Sequence, residues 1–268
     1  MKNDKILFLG AGNIAEAIIS GLISSNSSLK HKITAVDIKK NRLNYLSKRY
    51  GISVTSDYQE KINSFDIVLI AVKPQQISEA LNELSGKITK KQTVVSVAAG
   101  ISTAYIEKYL GKVPVIRTMP NTPLLVGEGM VVLCAGKYTS KKNMEAAAAL
   151  FNCSGKTVVL PEKHFDSVTA ISGSGPAFLF YFAESMMKAA EKIGLDNWTA
   201  KTLVTQTLSG ASKMLRSSGE APELLRQRVT SPGGTTEQAI KCFENKKLKD
   251  IVLEAVKRAK NRSKELTK

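Results

Sequence analysis

The feature that most constrains the fold of this chain is a glycine-rich turn close to its start. Lys5–Leu9 have the composition of a buried strand, and Gly10-Ala11-Gly12-Asn13-Ile14-Ala15 follows directly and opens a helical stretch. This segment matches the pattern G-x-G-x-x-G/A in the strand–turn–helix context that the pattern requires. Gly10 allows the tight turn, Gly12 lets the backbone approach a pyrophosphate, and Ala15 keeps helix and strand close. We therefore predict a dinucleotide site at the N-terminus of this helix. The residues predicted to contact the dinucleotide are Gly10, Ala11, Gly12, Asn13 and Ile14.

The order of strand-like and helical segments predicts two domains. In residues 1–161, short β-branched runs alternate with helical stretches, which is typical of a parallel sheet covered on both faces. From residue 162 onward the sequence contains only long helical patterns. The predicted fold class is α/β, with a Rossmann-type parallel-sheet domain at 1–161 and an all-helical domain at 162–268. The predicted strands are Lys5–Leu9, Ile33–Val36, Ile52–Val54, Ile67–Val72, Thr93–Val97, Val113–Thr118, Met130–Cys134 and Lys156–Leu160.

The end of the second predicted strand bears on the choice between NADH and NADPH. Asp37 stands where a carboxylate can accept hydrogen bonds from the ribose hydroxyls of NADH and repel a 2′-phosphate. Lys39, Lys40 and Arg42 follow and provide positive charges that can instead hold that phosphate. We leave both cofactors open and slightly favour NADH, because a carboxylate at the strand end is the better placed of the two signals.

Three later predicted strands also end in unusual turns. Ligands of an open parallel sheet bind outside the carboxyl ends of its strands. These ends carry Ala71-Val72-Lys73-Pro74-Gln75, the small residues Ala98-Ala99-Gly100, and Arg117–Pro123, in which two prolines bracket Asn121-Thr122. Together the three turns indicate that this edge of the sheet borders a ligand, with Ala98-Ala99-Gly100 leaving room for a flat ring.

A second glycine-rich turn, Ser231-Pro232-Gly233-Gly234-Thr235-Thr236, lies in the helical half of the chain. Thr235 and Gln238 have the spacing of a capping box, which predicts that a helix starts here. The two glycines are expected to bend tightly and to expose N–H groups that can bind a carboxylate, while Ser231 and Thr236 can donate from their hydroxyls. The pattern is equally that of an ordinary capped turn, so both interpretations stay open at this point.

The bulk composition bears on compartment and partners. Cys134, Cys153 and Cys242 are odd in number and form no CxxC pair, which indicates reduced, buried thiols rather than a disulfide frame or a zinc site. The sequence shows no signal-peptide pattern and no apolar run of about 20 residues, so we expect a cytoplasmic protein without membrane contact or metal. The formal charge is +16, but its lysines are scattered, which favours a solvated surface over a specific nucleic-acid site.

Five ordered motifs connect these observations to a known family. They are Gly10–Ala15, Ala71–Gln75, Met119–Pro123, Thr169–Phe178 and Val229–Thr236. In order and spacing they resemble the motifs of pyrroline-5-carboxylate reductases, and the Ser-Pro-Gly-Gly-Thr-Thr segment is that family's signature. The resemblance spans nearly the whole chain. It implies that NADH or NADPH reduces a cyclic imine to L-proline, and that the helical domain forms a homodimer, often assembled further into a ring of dimers.

The resemblance also implies roles for individual residues. The substrate, a small anionic imino acid, would be held by Ser231, Gly233, Gly234, Thr235 and Thr236. Among these we assign to Thr236 the catalytic role of bonding the imine nitrogen, because its hydroxyl lies at the start of the helix that the glycine turn opens. The nicotinamide would be bordered by Ala71, Val72, Lys73, Pro74 and Asn121. Many relatives that use NADPH carry no acid at the position of Asp37, and this is where the sequence departs from the family pattern.

Two other functions stay open on the sequence alone. One is a related Rossmann–helical reductase or dehydrogenase with another substrate, although no matching lysine motif surrounds Lys188 or Lys192. The other is a non-enzymatic protein on the same scaffold, either a nicotinamide-sensing regulator or a nucleic-acid-binding protein. Oxidation of NAD(P)H on addition of pyrroline-5-carboxylate distinguishes the reductase from both.

Overall fold

The computed structural model describes residues 4–267, except for the side chain of Glu60. The chain divides into two compact units. The larger unit runs up to Ser174 and also contains the stretch that begins at Ala259, whereas Gly175–Arg258 form the smaller unit. The predicted domain boundary between residues 161 and 162 falls inside the larger unit and remains a prediction.

Within the described residues, the larger unit is built on one eight-stranded sheet. Its strands are β1 (Ile6–Leu9), β2 (Ile33–Val36), β3 (Ser53–Thr55), β4 (Ile67–Ile70), β5 (Thr93–Ser96), β6 (Val115–Met119), β7 (Gly129–Ala135) and β8 (Gly155–Val159). They lie in the order β3-β2-β1-β4-β5-β6-β7-β8, so the strand order reverses between β1 and β4. All eight predicted strands are therefore confirmed, with small shifts of their ends.

One pair of strands differs from the fully parallel sheet that we expected. β6 and β7 are antiparallel, whereas the other neighbouring pairs are parallel. Residues 120–128 separate these two strands. Parallel strands need a crossover of about a dozen residues or more, so this shorter connection forces the chain to reverse direction.

Helices cover the sheet and explain why its central strands are so apolar. They are α1 (Asn13–Ser25), α2 (Lys40–Tyr50), α3 (Ile77–Leu84), α4 (Thr103–Leu110) and α5 (Lys141–Phe151). β1 and β4 are buried along their whole length, as strands covered on both faces must be. Ala15 is fully buried in α1, which agrees with its predicted role at the close approach of helix and strand.

The rest of the described chain is helical, and no strand follows β8 within residues 4–267. The first part of the larger unit ends in α6 (Phe165–Val168) and a π-helical turn (Thr169–Gly173). The later helices are α7 (Gly175–Lys192), α8 (Asn197–Ser218), α9 (Pro222–Arg228), α10 (Thr235–Asn245) and α11 (Leu248–Leu266). α7 packs against α8 but has no buried residue of its own. Its exposed side chains include Leu179, Phe180 and Tyr181. The smaller unit, called the helical unit below, therefore has an uncovered apolar surface.

The last turns of α11 belong to the larger unit. Ser263 Oγ donates a 2.8 Å hydrogen bond to Asp166 Oδ1. Gly100 has φ +72°, and a Cβ added there would lie 2.7 Å from the carbonyl oxygen of Leu266. The space beside Gly100 is thus filled by the end of α11, and the small residue serves this packing rather than leaving room for a flat ring.

The cysteines are free but differ in burial. Cys134 is buried and Cys153 is half-buried, whereas Cys242 is exposed on α10, which corrects the expectation of three buried thiols. Burial raises the pKa of Cys134 to about 11, so its thiol is protonated at neutral pH. Within residues 4–267, no helix combines the length and apolar character needed to cross a membrane.

Candidate active site

A cleft of about 990 Å³ lies at the carboxyl ends of β1 and β4, where the strand order reverses. This is the position at which open α/β sheets bind their ligands. The turns after β1, β2 and β4 form much of its wall. The predicted cofactor residues that line it are Gly10, Ala11, Gly12, Asn13, Asp37, Ala71, Val72 and Lys73.

The two motif glycines lie in this cleft for different physical reasons. Gly10 has φ +94°, and an added Cβ would lie 2.7 Å from the carbonyl carbon of Ala71, so only glycine lets the ends of β1 and β4 approach this closely. Gly12 is the N-cap of α1, and no side chain caps the first N–H groups of this helix. A Cβ added to Gly12 would have no described atom within 4 Å. The open space over Gly12 and the N–H groups of the first helical turn fit a pyrophosphate.

Asp37 follows β2 and is held by backbone groups around it. Its Oδ2 accepts a 2.8 Å hydrogen bond from the Ala11 N–H, and its Oδ1 accepts a 2.9 Å bond from the Lys39 N–H. An ionised carboxylate has about four acceptor positions, so Asp37 retains capacity for a ribose hydroxyl while it braces the glycine turn. The bond to Ala11 was not foreseen from the sequence, because it joins residues far apart in the chain.

The three cations considered for a 2′-phosphate have different environments. Lys39 and Lys40 line the cleft and are exposed. Arg42 is half-buried, and its Nε donates a 2.6 Å hydrogen bond to the Ala11 carbonyl oxygen. Its Nη2 forms an ion pair with Glu16. Arg42 is therefore held by contacts within the protein, whereas the ammonium groups of Lys39 and Lys40 make no hydrogen bond or ion pair within the described residues.

Glu16 is the centre of a polar cluster beside the cleft. Its carboxylate accepts hydrogen bonds from Tyr45 at 3.1 Å and from Tyr50 at 2.9 Å, in addition to Arg42. Burial alone would raise the pKa of Glu16, but the hydrogen bonds from Arg42, Tyr50 and Tyr45 outweigh it. The pKa of Glu16 consequently lies below its ordinary value, and the carboxylate is charged at neutral pH.

Several residues of the cleft lining were not predicted from the sequence. They are Tyr58, Gln76, Glu79, Ala80 and Glu83, together with Ser56 and Tyr45. Tyr58 is buried, and its hydroxyl donates a 2.7 Å hydrogen bond to Glu83 Oε2. Burial and the adjacent carboxylate raise the pKa of Tyr58, so it stays a neutral donor. The sequence contained only a weak indication that α3 borders the cleft, namely that Glu79 and Glu83 have the (i, i+4) spacing that places them on one face of the helix.

Three predicted cofactor residues lie outside the cleft lining: Ile14, Pro74 and Asn121. Pro74 begins a 3-10 turn that leads into α3. The Asn121 side chain connects two backbone segments. Its Nδ2 donates to the Ser172 carbonyl oxygen at 3.1 Å, and its Oδ1 accepts from the Met130 N–H at 2.8 Å. Contact of these residues with a cofactor remains a prediction.

The glycine turn in the helical unit begins α10 at the predicted place but with a different cap. Gly233 has φ +71°, and Gly234 is the N-cap in an extended conformation without a side-chain hydrogen bond. Thr235 is therefore the first helical residue, and the predicted capping box of Thr235 with Gln238 is wrong. The cap shifts by one residue because Gly234 adopts the extended backbone that a cap requires.

The glycine N–H groups of this turn are already bonded within it, which corrects the expectation that they are exposed for a ligand. The Gly233 N–H donates to Glu237 Oε2 at 3.0 Å, and the Gly234 N–H donates to the Ser231 carbonyl oxygen at 3.0 Å. The bond from Gly233, together with Lys241, holds the pKa of Glu237 below its ordinary value.

Other donors of the same turn remain available. The half-buried Thr236 hydroxyl makes no hydrogen bond within the described part of the chain. The first N–H groups of α10 point out of the helix end without a side-chain cap. In the described residues, no group of three or more His, Cys, Asp or Glu side chains is arranged to hold a metal ion.

The fold and the cleft define a class of protein, an oxidoreductase that binds a nicotinamide dinucleotide on a Rossmann-type sheet and continues into a helical region. Comparison with family models agrees with this class. Residues 5–100 match the family described as NADP oxidoreductase, coenzyme F420-dependent. Residues 162–266 match the family described as pyrroline-5-carboxylate reductase dimerisation.

Relatives that align over nearly the whole chain identify the particular family. The chain is 38% identical to pyrroline-5-carboxylate reductase 1 of Bacillus spizizenii over 265 residues, which are 98% of this chain and 89% of that relative. A solved pyrroline-5-carboxylate reductase from Coxiella burnetii has a TM-score of 0.93 at 37% identity, with 99% of both chains covered. The Plasmodium falciparum enzyme, solved with NADP bound, has a TM-score of 0.89 at 30% identity over 100% of both chains. This chain belongs to the pyrroline-5-carboxylate reductase family.

Proposed function

We propose that this chain reduces the ring C=N bond of pyrroline-5-carboxylate and forms L-proline. One observation carries the proposal: the dinucleotide cleft and an intact Ser-Pro-Gly-Gly-Thr-Thr turn occur together in a member of this family. A reduced nicotinamide supplies the hydride in such reactions. A protonated imine is already electrophilic, so the protein contributes mainly position and electrostatics, and the proposal includes no metal.

The residues of the cleft fit a dinucleotide. Gly12 leaves open space at the start of α1, where the first N–H groups and the helix dipole favour a pyrophosphate. Ala71, Val72 and Lys73 line the same cleft at the end of β4, and we assign them to the nicotinamide half. Asp37 lies at the end of β2, where the adenosine ribose of a dinucleotide binds.

Within this site we propose a preference for NADH over NADPH. The Asp37 carboxylate would accept a ribose hydroxyl and repel a 2′-phosphate. Arg42, the cation best suited to a phosphate, is paired with Glu16 and bonded to the Ala11 carbonyl oxygen. Lys39 and Lys40 are exposed in the cleft and leave NADPH as a weaker alternative.

For the substrate, we propose that the turn at Ser231–Thr236 holds the anionic imino acid. Within the described residues the Thr236 hydroxyl at the start of α10 makes no hydrogen bond, so its oxygen is available to accept one from the protonated imine N–H. The substrate carboxylate would bind the first-turn N–H groups of α10 and the exposed Ser231 hydroxyl, since the N–H groups of Gly233 and Gly234 are taken.

We also propose that the active protein is a homodimer, alone or in a ring of dimers, located in the cytoplasm. The match of residues 162–266 to a dimerisation family and the uncovered apolar side chains of α7 support the dimer. The excess of lysine is interpreted as a solvated surface. Any DNA binding should therefore be weak and should disappear as salt is added.

The deciding experiment is an assay of the purified chain with pyrroline-5-carboxylate and either NADH or NADPH. We expect loss of reduced-nicotinamide absorbance and an equal amount of proline by chromatography, with the higher kcat/KM for NADH. Cofactor oxidation without proline would point to another imine or carbonyl substrate. An inactive protein that still binds the dinucleotide would favour the nicotinamide-sensing alternative.

A further inference from the structure

Both polar backbone atoms of Ala11, the residue between the two motif glycines, are held by side chains. Asp37 Oδ2 accepts from its N–H at 2.8 Å, and Arg42 Nε donates to its carbonyl oxygen at 2.6 Å. That carbonyl belongs to the peptide group that also contains the Gly12 N–H. Because a peptide group is planar, fixing the carbonyl oxygen of Ala11 also fixes the direction of the Gly12 N–H.

Arg42 is itself held in place on its other side. Its Nη2 pairs with Glu16, and its guanidinium lies 5.1 Å from the centre of the Tyr45 ring. Glu16 in turn accepts hydrogen bonds from Tyr45 and Tyr50. These contacts use two of the three guanidinium nitrogens and fix the orientation of the group, so Arg42 cannot turn towards a 2′-phosphate without giving them up. The two acceptors are contacted by two different nitrogens of one planar group, Nε and Nη2, whereas a lysine has a single ammonium nitrogen at the end of a flexible chain.

We infer that Arg42 is a positioning residue for dinucleotide binding. It keeps the glycine turn in the conformation that presents the Gly12 N–H to the pyrophosphate, and it does not act as a ligand for the 2′-phosphate. The inference rests on the proposed cofactor site and adds to it, since it assigns to Arg42 a function shared by NADH and NADPH. Loss of Arg42 must consequently weaken both cofactors by the same factor.

The test compares Arg42→Met, Arg42→Lys and Arg49→Met with the unchanged protein. Arg49 is the matched control, because it lies on α2 and stacks 5.6 Å from the Tyr45 ring but does not line the cleft. The dissociation constants for NADH and for NADPH are measured by titration of nicotinamide fluorescence. We expect both Arg42 variants to bind each cofactor about tenfold more weakly, equivalent to about 1.4 kcal/mol, with an unchanged ratio between them. Arg49→Met should bind both cofactors as the unchanged protein does.

Kinetics separate positioning from a general loss of folded protein. In the Arg42 variants, KM for both cofactors should rise while kcat at saturating cofactor is preserved. A loss confined to NADPH would make Arg42 a 2′-phosphate ligand and overturn the inference, and so would unchanged affinity for both. If Arg42→Met fails to fold, Arg42→Lys decides, since it keeps the charge but has no second nitrogen to replace both Nε and Nη2. Failure of the unchanged protein to bind either cofactor would instead contradict the proposed cofactor site.

Discussion

At the scale of single residues, Asp37 has a structural contact and is also the residue to which we assign the proposed preference for NADH. Its carboxylate accepts the Ala11 N–H and also places a negative charge in the cleft where an adenosine ribose would bind. A substitution that keeps an acceptor but removes the charge should therefore alter cofactor selectivity more than it alters the turn itself.

We predict that Asp37→Ser shifts the preference from NADH towards NADPH. A hydrogen bond to a charged group contributes about 1.5–3 kcal/mol, so the ratio of kcat/KM values for the two cofactors should move by roughly ten- to a hundredfold. Asp37→Asn is the matched control for shape, because it removes the charge, keeps one acceptor oxygen and loses one of the two hydrogen bonds from the Ala11 and Lys39 N–H groups. A wild-type enzyme that strongly prefers NADPH would refute the proposed role and assign the phosphate to Lys39 and Lys40.

Thr236 allows a similarly direct test of the substrate site. Thr236→Ala should lower kcat/KM for pyrroline-5-carboxylate by roughly ten- to a hundredfold, because a hydrogen bond to a charged imine is lost. Stability should be little changed, since this hydroxyl makes no hydrogen bond within the described residues. Affinity for the cofactor should also be preserved.

Thr236→Ser is the matched control for this prediction, because it retains the hydroxyl and should retain most of the activity. Near-normal turnover in Thr236→Ala would mean that the hydroxyl has no part in the reaction. A loss of cofactor binding as large as the loss of turnover would show that the substrate has been assigned to the wrong residues.

At the scale of elements, local sequence patterns predicted where strands and helices occur, but they did not predict the relative directions of all neighbouring strands. The strand–turn–helix at Gly10 and the start of α10 were both predicted, because glycine spacing and apolar periodicity are local properties of the chain. The antiparallel direction of β7 was not, since an apolar run has the same appearance in either direction. The N-cap of α10 was misplaced by one residue and the predicted capping box does not form, because the pattern alone does not show that Gly234 takes the cap.

The site was predictable to a similar degree and for the same reason. The glycines of the cofactor turn and Asp37 follow a known spacing, and the structure brings them to one cleft. The hydrogen bonds of Arg42 to Ala11 and of Tyr58 to Glu83 join residues far apart in the chain, so they depend on packing that no local pattern contains.

The cluster that joins α1 to α2 gives a prediction about acid stability. The pKa of Glu16 lies below its ordinary value of 4.5, so the charged carboxylate stabilises the folded state above that value. This stabilisation is lost as the pH falls through the lowered pKa. Glu16→Gln should therefore lower Tm near neutral pH by about 2–4 °C, corresponding to about 1 kcal/mol, and the difference from wild type should shrink in acid.

Thermal unfolding of both proteins over a pH series would measure this effect. Glu145→Gln is the matched control, because Glu145 forms an exposed pair with Lys141 at 4.0 Å and should contribute little. A difference between wild type and Glu16→Gln that stays constant into acid would show that the charge of Glu16 does not stabilise the fold.

At the scale of the whole molecule, the apolar surface of α7 is the main feature that a single chain leaves unexplained. Tyr181 is 72% exposed, and its neighbours Leu179 and Phe180 are also largely exposed. Exposed apolar patches are rare on soluble monomeric proteins, and they mark sites of interaction with other molecules.

We predict that Tyr181→Lys weakens the homodimer, because it places a charge that would have to be buried without a partner. Light scattering coupled to gel filtration should show a shift towards monomer as the protein is diluted. Tyr181→Phe is the matched control and should remain a dimer. A Tyr181→Lys protein with an unchanged mass would exclude this side chain from the interface.

The hydrogen bond between Asp166 and Ser263 has a consequence for the timing of synthesis. The two residues are 97 positions apart, and chains grow at about 5–20 residues per second, so Asp166 is made roughly 5–20 s before its partner. During that interval the Leu266 carbonyl is not yet available to cover Gly100. We therefore expect the sheet to form before the smaller unit has been synthesised. The larger unit should complete its packing only after α11 has emerged from the ribosome.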